Sequence, residues 1–195
     1  MSAQPFTADN AAMLLIDHQV GTMGWVRSIP FESMKANALA LARTAKAVDI
    51  PLVLTSSMEE YAQGPLLAEL QEIAPKEFEA RTRRQGVVNA MDDEGFAAAV
   101  RQSGRKKLII AGVTNDVCTV YPTLTALQLG YDVQVVADAG GSPAKMADDI
   151  AIRRMEKAGA TITSTVQLLA ELAENWTSER GGKIIPFVMG LMPQQ

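Results

Sequence analysis

Histidine and cysteine are nearly missing from this chain: each occurs once in 195 residues, as His18 and Cys118. A lone cysteine cannot close a disulfide within the chain, which points to a reducing compartment, the cytoplasm. A lone histidine removes most zinc arrangements, and no CxxC pair replaces it, so neither a metal nor another cofactor is expected. Excess positive charge is also lacking. The chain carries 18 Lys and Arg against 22 Asp and Glu, a net charge of −4. Phosphate binding needs a basic face, so nucleic acid is not an expected partner. No run reaches the roughly 18–20 apolar residues of a membrane span. The start, MSAQPFTADN, has no basic stretch ahead of an apolar one, so no secretory signal is expected. The Gly-rich segment 138–142, DAGGS, has neither GxGxxG nor Walker spacing and is a weak phosphate signal.

What is present reads as one soluble globular domain spanning 1–195, with 48% hydrophobic and 21% charged residues. Short apolar runs at 11–16, 51–55, 108–111, 132–137 and 161–163 read as strands. Helical patterns lie between them, at 31–48, 65–73, 92–103, from Cys118 to Gly130, at 144–158 and at 166–176. Asp92 is the expected cap of the third of these helices. Segment 75–88, which holds Arg81, Arg83 and Arg84, shows no clear pattern. The tail, 177–195, is too apolar for a solvated linker and is expected to pack on another subunit. Strands alternating with helices imply βαβ units. The expected architecture is a Rossmann-like, three-layer αβα sandwich with a mostly parallel sheet of about six strands.

The stretch KLIIAGVTNDVCTVYPTLTALQL, 107–129, organises the rest. It runs as a strand to Gly112, turns, and resumes as a helix at about Cys118. In open α/β folds ligands bind at the carboxyl edge of the sheet, where such turns lie. A thiol in a first helical turn is biased toward thiolate, with pKa values of about 3.5–7.5 in such settings. Asp17 ends the first apolar run, so right-handed crossovers bring it to the same edge. Acid and thiol together can serve as general base and nucleophile. A carboxylate there opposes thiolate formation, so a fixed cation is needed beside them, and Arg84 is the candidate. Thr114 and Asn115 suit helix capping, and their turn can aim backbone N–H groups at an oxyanion. His18 is read as a wall residue, Asp138 as a brace from a neighbouring strand, and Trp25, Met23, Met58 and Tyr61 as loop residues that could wall a pocket.

Three motifs, LLIDHQ at 14–19, AGVTNDVC at 111–118 and VVADAGGS at 135–142, resemble the isochorismatase-like cysteine hydrolases. The likeness runs from about Asn10 to Trp176 and is greatest to the YcaC-like branch, including the spacing from RQGVVNA to DDEGF. It implies Asp17 as general base, Cys118 as nucleophile attacking an amide or similar carbon, and Arg84 where the family has a lysine. It implies a cis peptide at Val113–Thr114, with backbone groups of Val113, Thr114 and Cys118 turned to the oxyanion. Substrate contacts are then expected from Gln19, Trp25, Met58 and Asn115, the last standing where the family commonly has threonine. The zinc-binding histidines of the family's nicotinamidases are absent. The resemblance also implies a small-molecule substrate and a homo-oligomer, an octamer. Three other readings stay open: an enol-ether hydrolase that does not need the thiol, a non-catalytic oligomeric binding protein, and a redox sensor.

Overall fold

A computed structural model describes residues 5–193. In chain order it contains β1 (Ala11–Ile16), α1 (Val20–Gly24), α2 (Phe31–Ala47), β2 (Leu52–Ser57), α3 (Ala68–Ile73), α4 (Pro75–Glu79), β3 (Thr82–Arg84), α5 (Glu94–Gln102) and β4 (Lys107–Gly112). There follow α6 (Val120–Gln128), β5 (Asp132–Val136), α7 (Lys145–Ala158), β6 (Thr161–Thr163), α8 (Thr165–Ala173) and α9 (Glu179–Met189). All six strands are parallel, in the order β3-β2-β1-β4-β5-β6.

Continuous apolar runs become strands because both faces of a parallel sheet are covered. Every residue of β1 and β4 is buried. Alternate side chains serve opposite layers. Met13, Leu15 and Ile109 pack with Leu41 of α2, Leu168 of α8 and Ile184 of α9. Leu14, Ile16 and Ile110 pack with Phe96 of α5, Val120 of α6 and Met155 of α7. The two layers give the three-layer α/β sandwich. Chain order reverses between β1 and β4, which pair in register from Ala11↔Lys107 to Ile16↔Gly112. A crevice opens at such a reversal, outside the carboxyl ends of the strands.

Several elements differ from the expectation. Segment 75–88 contains α4 and the sixth strand, β3, whose sequence Thr-Arg-Arg has no apolar alternation. It is a strand because Thr82, Arg83 and Arg84 pair with Thr55, Ser56 and Ser57 of β2. The side chain of Asp93, not Asp92, caps α5 by accepting the Phe96 N–H at 3.1 Å. The helix expected from Pro65 begins at Ala68, because the Pro65 carbonyl accepts the Val20 N–H at 2.9 Å and Leu66 bridges to Gln19. The tail forms α9: Ile184 and Val188 enter this chain's own core, while Ile185 and Met189 are exposed. Its Gly181 is required by close approach, since a Cβ there would stand 2.1 Å from the Asn175 carbonyl oxygen. Among the described residues no helix is long and apolar enough to cross a membrane.

Candidate active site

Asp17 follows β1 and takes a left-handed conformation, φ 58, which aspartate tolerates better than most residues. Its N–H still bonds to the Thr55 carbonyl at 3.0 Å, so the main chain stays tied to β2 while the side chain leaves the strand alternation. The carboxylate is 1% exposed, as is Arg84, the last residue of β3. The Arg84 Nη2 donates to both oxygens of Asp17. Its Nε donates to Thr55 Oγ1 at 3.1 Å, and its Nη1 donates to the Val87 carbonyl. Thr55 Oγ1 donates in turn to the Thr82 carbonyl at 2.8 Å. Every guanidinium nitrogen thus holds an acceptor, and the one facing Asp17 is shared by both carboxylate oxygens in a charge-assisted contact.

Cys118 lies in one π-helical turn, Asn115–Thr119, that leads into α6. Such turns recur at functional sites. The Val113–Thr114 peptide before it is cis. The turn is anchored by the Asn115 N–H on the Gly141 carbonyl, 2.7 Å, and by the Thr119 N–H on the Thr114 carbonyl, 3.1 Å. The half-buried thiol hydrogen-bonds to the Asp17 carboxylate, and the Thr114 backbone N–H points at the sulfur. Burial raises the thiol's pKa, and the Asp17 charge raises it further; the Thr114 N–H and Arg84 oppose this and are outweighed. Burial likewise raises the Asp17 carboxyl above its ordinary 3.8, against the pull of Arg84. The expected thiolate bias is therefore corrected. The cation that was to favour a thiolate is engaged by the carboxylate, and at neutral pH the sulfur rests protonated beside a base.

Asp17, Arg84 and Cys118 border one cavity of about 400 Å³, whose walls include Trp25 and Met58. Other expected site residues are used elsewhere. Gln19 reaches the wall, but its Nε2 donates to the Ser57 and Gly64 carbonyls and its Oε1 accepts the Ser57 N–H at 2.8 Å, so it braces the β2 loop. Asn115 is fully buried and donates to the Ala137 carbonyl at 3.1 Å and to Asp148 Oδ1 at 3.0 Å, away from the cavity. The Val113 N–H continues the sheet by bonding to the Ile16 carbonyl at 3.0 Å and is not free for an oxyanion. Met23 lies in the core, Tyr61 is 64% exposed and away from the cavity, and Asp138 caps α8 by accepting the Thr165 N–H and hydroxyl. Sequence reasoning missed Thr55, which aligns Arg84, and Val87 and Val88, which form a wall. The apolar pair directly after Arg84 was the available signal. Among the described residues no cluster of His, Cys, Asp and Glu is arranged to hold a metal ion.

His18 is not a cavity wall. It is wholly buried, and its Nε2 meets the Ala139 carbonyl at 2.8 Å. Burial lowers its pKa from 6.5 to about 4, with the Ala139 carbonyl opposing. The unfolded chain binds a proton below pH 6.5 that the folded chain refuses until about pH 4. Stability is therefore expected to fall as pH drops through that window, by about 3 kcal/mol in all. Urea denaturation at pH 7 and near pH 4 measures it. His18→Gln, which keeps a donor for Ala139 and removes the titration, should lose this part of the slope.

The isochorismatase domain family matches residues 11–167 of the chain. The probable hydrolase YcaC of Escherichia coli is 39% identical over 174 residues, covering 89% of this chain and 83% of that protein. The structure of the Escherichia coli YcaC gene product, described as an octameric hydrolase of unknown specificity, superposes with a TM-score of 0.93 at 36% identity, covering 99% of this chain and 93% of the other. YcaC from Pseudomonas aeruginosa, solved with hexane-2,5-diol and covalent acrylamide, gives a TM-score of 0.90 at 38% identity, covering 97% and 94%. With the parallel six-stranded sheet and the crevice at its reversal point, these likenesses establish that the chain belongs to the isochorismatase family of hydrolases, in its YcaC-like branch.

Proposed function

We propose that this protein is a cytoplasmic, homo-oligomeric cysteine hydrolase that cleaves a small amide or related C–N bond. The observation that carries the reading is the Cys118 thiol hydrogen-bonded to Asp17 at a cavity wall, with Arg84 bound to the same carboxylate. As the sulfur attacks the substrate carbonyl, Asp17 takes the thiol proton. The protonated carboxyl then gives that proton to the departing nitrogen, and the amine leaves a thioester on Cys118. Water attacks next, losing a proton to Asp17, and collapse of the second tetrahedral species returns the proton to the sulfur. Backbone N–H groups of Thr114 and Cys118, in a turn whose first amides have no helical acceptor, steady the oxyanion. Arg84 holds the base in position and keeps it ionised despite burial.

The Pseudomonas relative carries covalent acrylamide, which fits a protein of this branch that reacts with a small electrophilic amide, and the octameric Escherichia coli relative supports the assembly. Burial of Arg84 against Asp17 weighs against a binding protein without chemistry. One observation favours a second reading: both Asp17 and Cys118 have raised pKa values, which suits proton delivery to an enol ether with the sulfur as bystander. A screen of short amides for ammonia release separates the two. Cys118→Ala is expected to lower amide turnover by about 10⁴-fold or more. Hydrolysis of a vinyl ether that survives Cys118→Ala, with no ammonia released from any amide by the wild type, would assign the site to the enol-ether chemistry.

A further inference from the structure

The cavity holds Asp17 and Asp116, and Arg84 is the one cationic side chain on its wall among the described residues. That cation is spent. Its Nη2 lies on Asp17, its Nε on Thr55 and its Nη1 on the Val87 carbonyl. Asp17 and Arg84 compensate one another, so a carboxylate entering the cavity would meet the charge of Asp116 and find no cation that is not already paired, and an unpaired ion removed from water is strongly disfavoured. The rest of the wall is apolar or neutral. Trp25, Met58, Val87, Val88, Val117 and Pro143 offer hydrocarbon. Thr22 also lines the cavity; it is 4% exposed, and its hydroxyl has no hydrogen-bond partner among the described residues. A buried unpaired hydroxyl suits a neutral polar group, to which it can donate or from which it can accept.

We propose that the cavity selects uncharged substrates, a neutral carbonyl group carried on a short apolar arm, and rejects carboxylates. This rests on the reading of the cavity as the hydrolase site and specifies its substrate class. Repulsion from Asp116, acting through partly excluded solvent, together with the lack of an unpaired cation, is expected to separate a neutral ligand from its carboxylate counterpart by about 100-fold.

The test uses two probes of nearly equal size, iodoacetamide and iodoacetate. In each case the Cys118 sulfur displaces iodide and forms a C–S bond, and the proton it loses passes to buffer. Both reagents meet the same sulfur, so its ionisation cancels in the ratio of rates. Measured by intact mass and divided by the same ratio for 2-mercaptoethanol, the preference for iodoacetamide is expected to reach about 100-fold. Val88→Lys places a cation on the wall at a residue that is 56% exposed and tolerant of change, and should bring the preference below about 10-fold. Asp116→Asn should lower it in the same direction. A normalised ratio near one, or a preference for iodoacetate, would overturn the proposal. Failure of the amide screen with the preference intact would sink the hydrolase reading alone. Amide cleavage with the preference lost would sink the charge selection alone.

Discussion

Asp17→Asn is expected to lower turnover by about 10²–10⁴-fold while making Cys118 easier to alkylate at neutral pH. The two effects point in opposite directions because the carboxylate has two influences on one sulfur. It accepts the thiol proton during attack, and in the resting protein its charge and hydrogen bond raise the thiol's pKa. The asparagine is nearly isosteric and takes away both the base and the repulsion. Arg84 is left with its charge uncompensated beside the sulfur, which favours the thiolate further. Labelling by iodoacetamide across a pH series, set beside substrate turnover in the same samples, reads both. A thiol less reactive in the variant than in the wild type would show that Asp17 does not restrain it. In the wild type the acid limb of turnover should lie above the ordinary carboxylate value of 3.8, because burial raises the Asp17 pKa and protonation there removes the base.

Arg84→Leu should cost about 3–5 kcal/mol of folding stability, the usual result of stripping one partner from a buried ion pair. Both side chains are 1–2% exposed, so water cannot replace the missing guanidinium. Urea denaturation measures the loss, and the double variant Arg84→Leu/Asp17→Asn should regain most of it, since no unpaired charge then stays buried. Arg84→Lys is expected to fall between. A single ammonium supplies charge to Asp17 but lacks the planar fork that also reaches Thr55 and the Val87 carbonyl. An Arg84→Leu protein as stable as the wild type would mean that Asp17 is protonated in the native state.

The strands that build the crevice were legible because burial on two faces leaves a plain trace: unbroken apolar runs such as Ala11–Ile16. β3 left none. It has three residues and two of them are arginines, so its existence depends on pairing with β2 and not on its own composition. The three arginines of that segment look alike in sequence and have different fates. Arg81 pairs with Glu59 and covers the Phe78 ring, the Arg83 side chain is 57% exposed, and Arg84 is sealed against Asp17. Gln19 and Asn115 lie within three residues of reacting groups in the chain, and the resemblance makes them expected substrate contacts, yet their amides satisfy backbone groups of neighbouring loops. The acidity of Cys118 was misjudged because a helix dipole can be inferred from a motif, whereas desolvation and a carboxylate at bonding distance are set only by the folded surroundings.

The Arg84 guanidinium and the Asp17 carboxylate it grips are 67 positions apart in the chain, and the sulfur is encoded later still. During translation the carboxylate emerges first, with no counter-ion, and stays hydrated until the edge strand docks. The thiol then arrives in the turn that follows β4, between strands already made and those yet to come. An N-terminal fragment that stops short of this turn can carry the Asp17–Arg84 pair but no sulfur. Thiol chemistry therefore has to wait until position 118 of 195 has been synthesised, whereas its base and counter-ion are already in the chain.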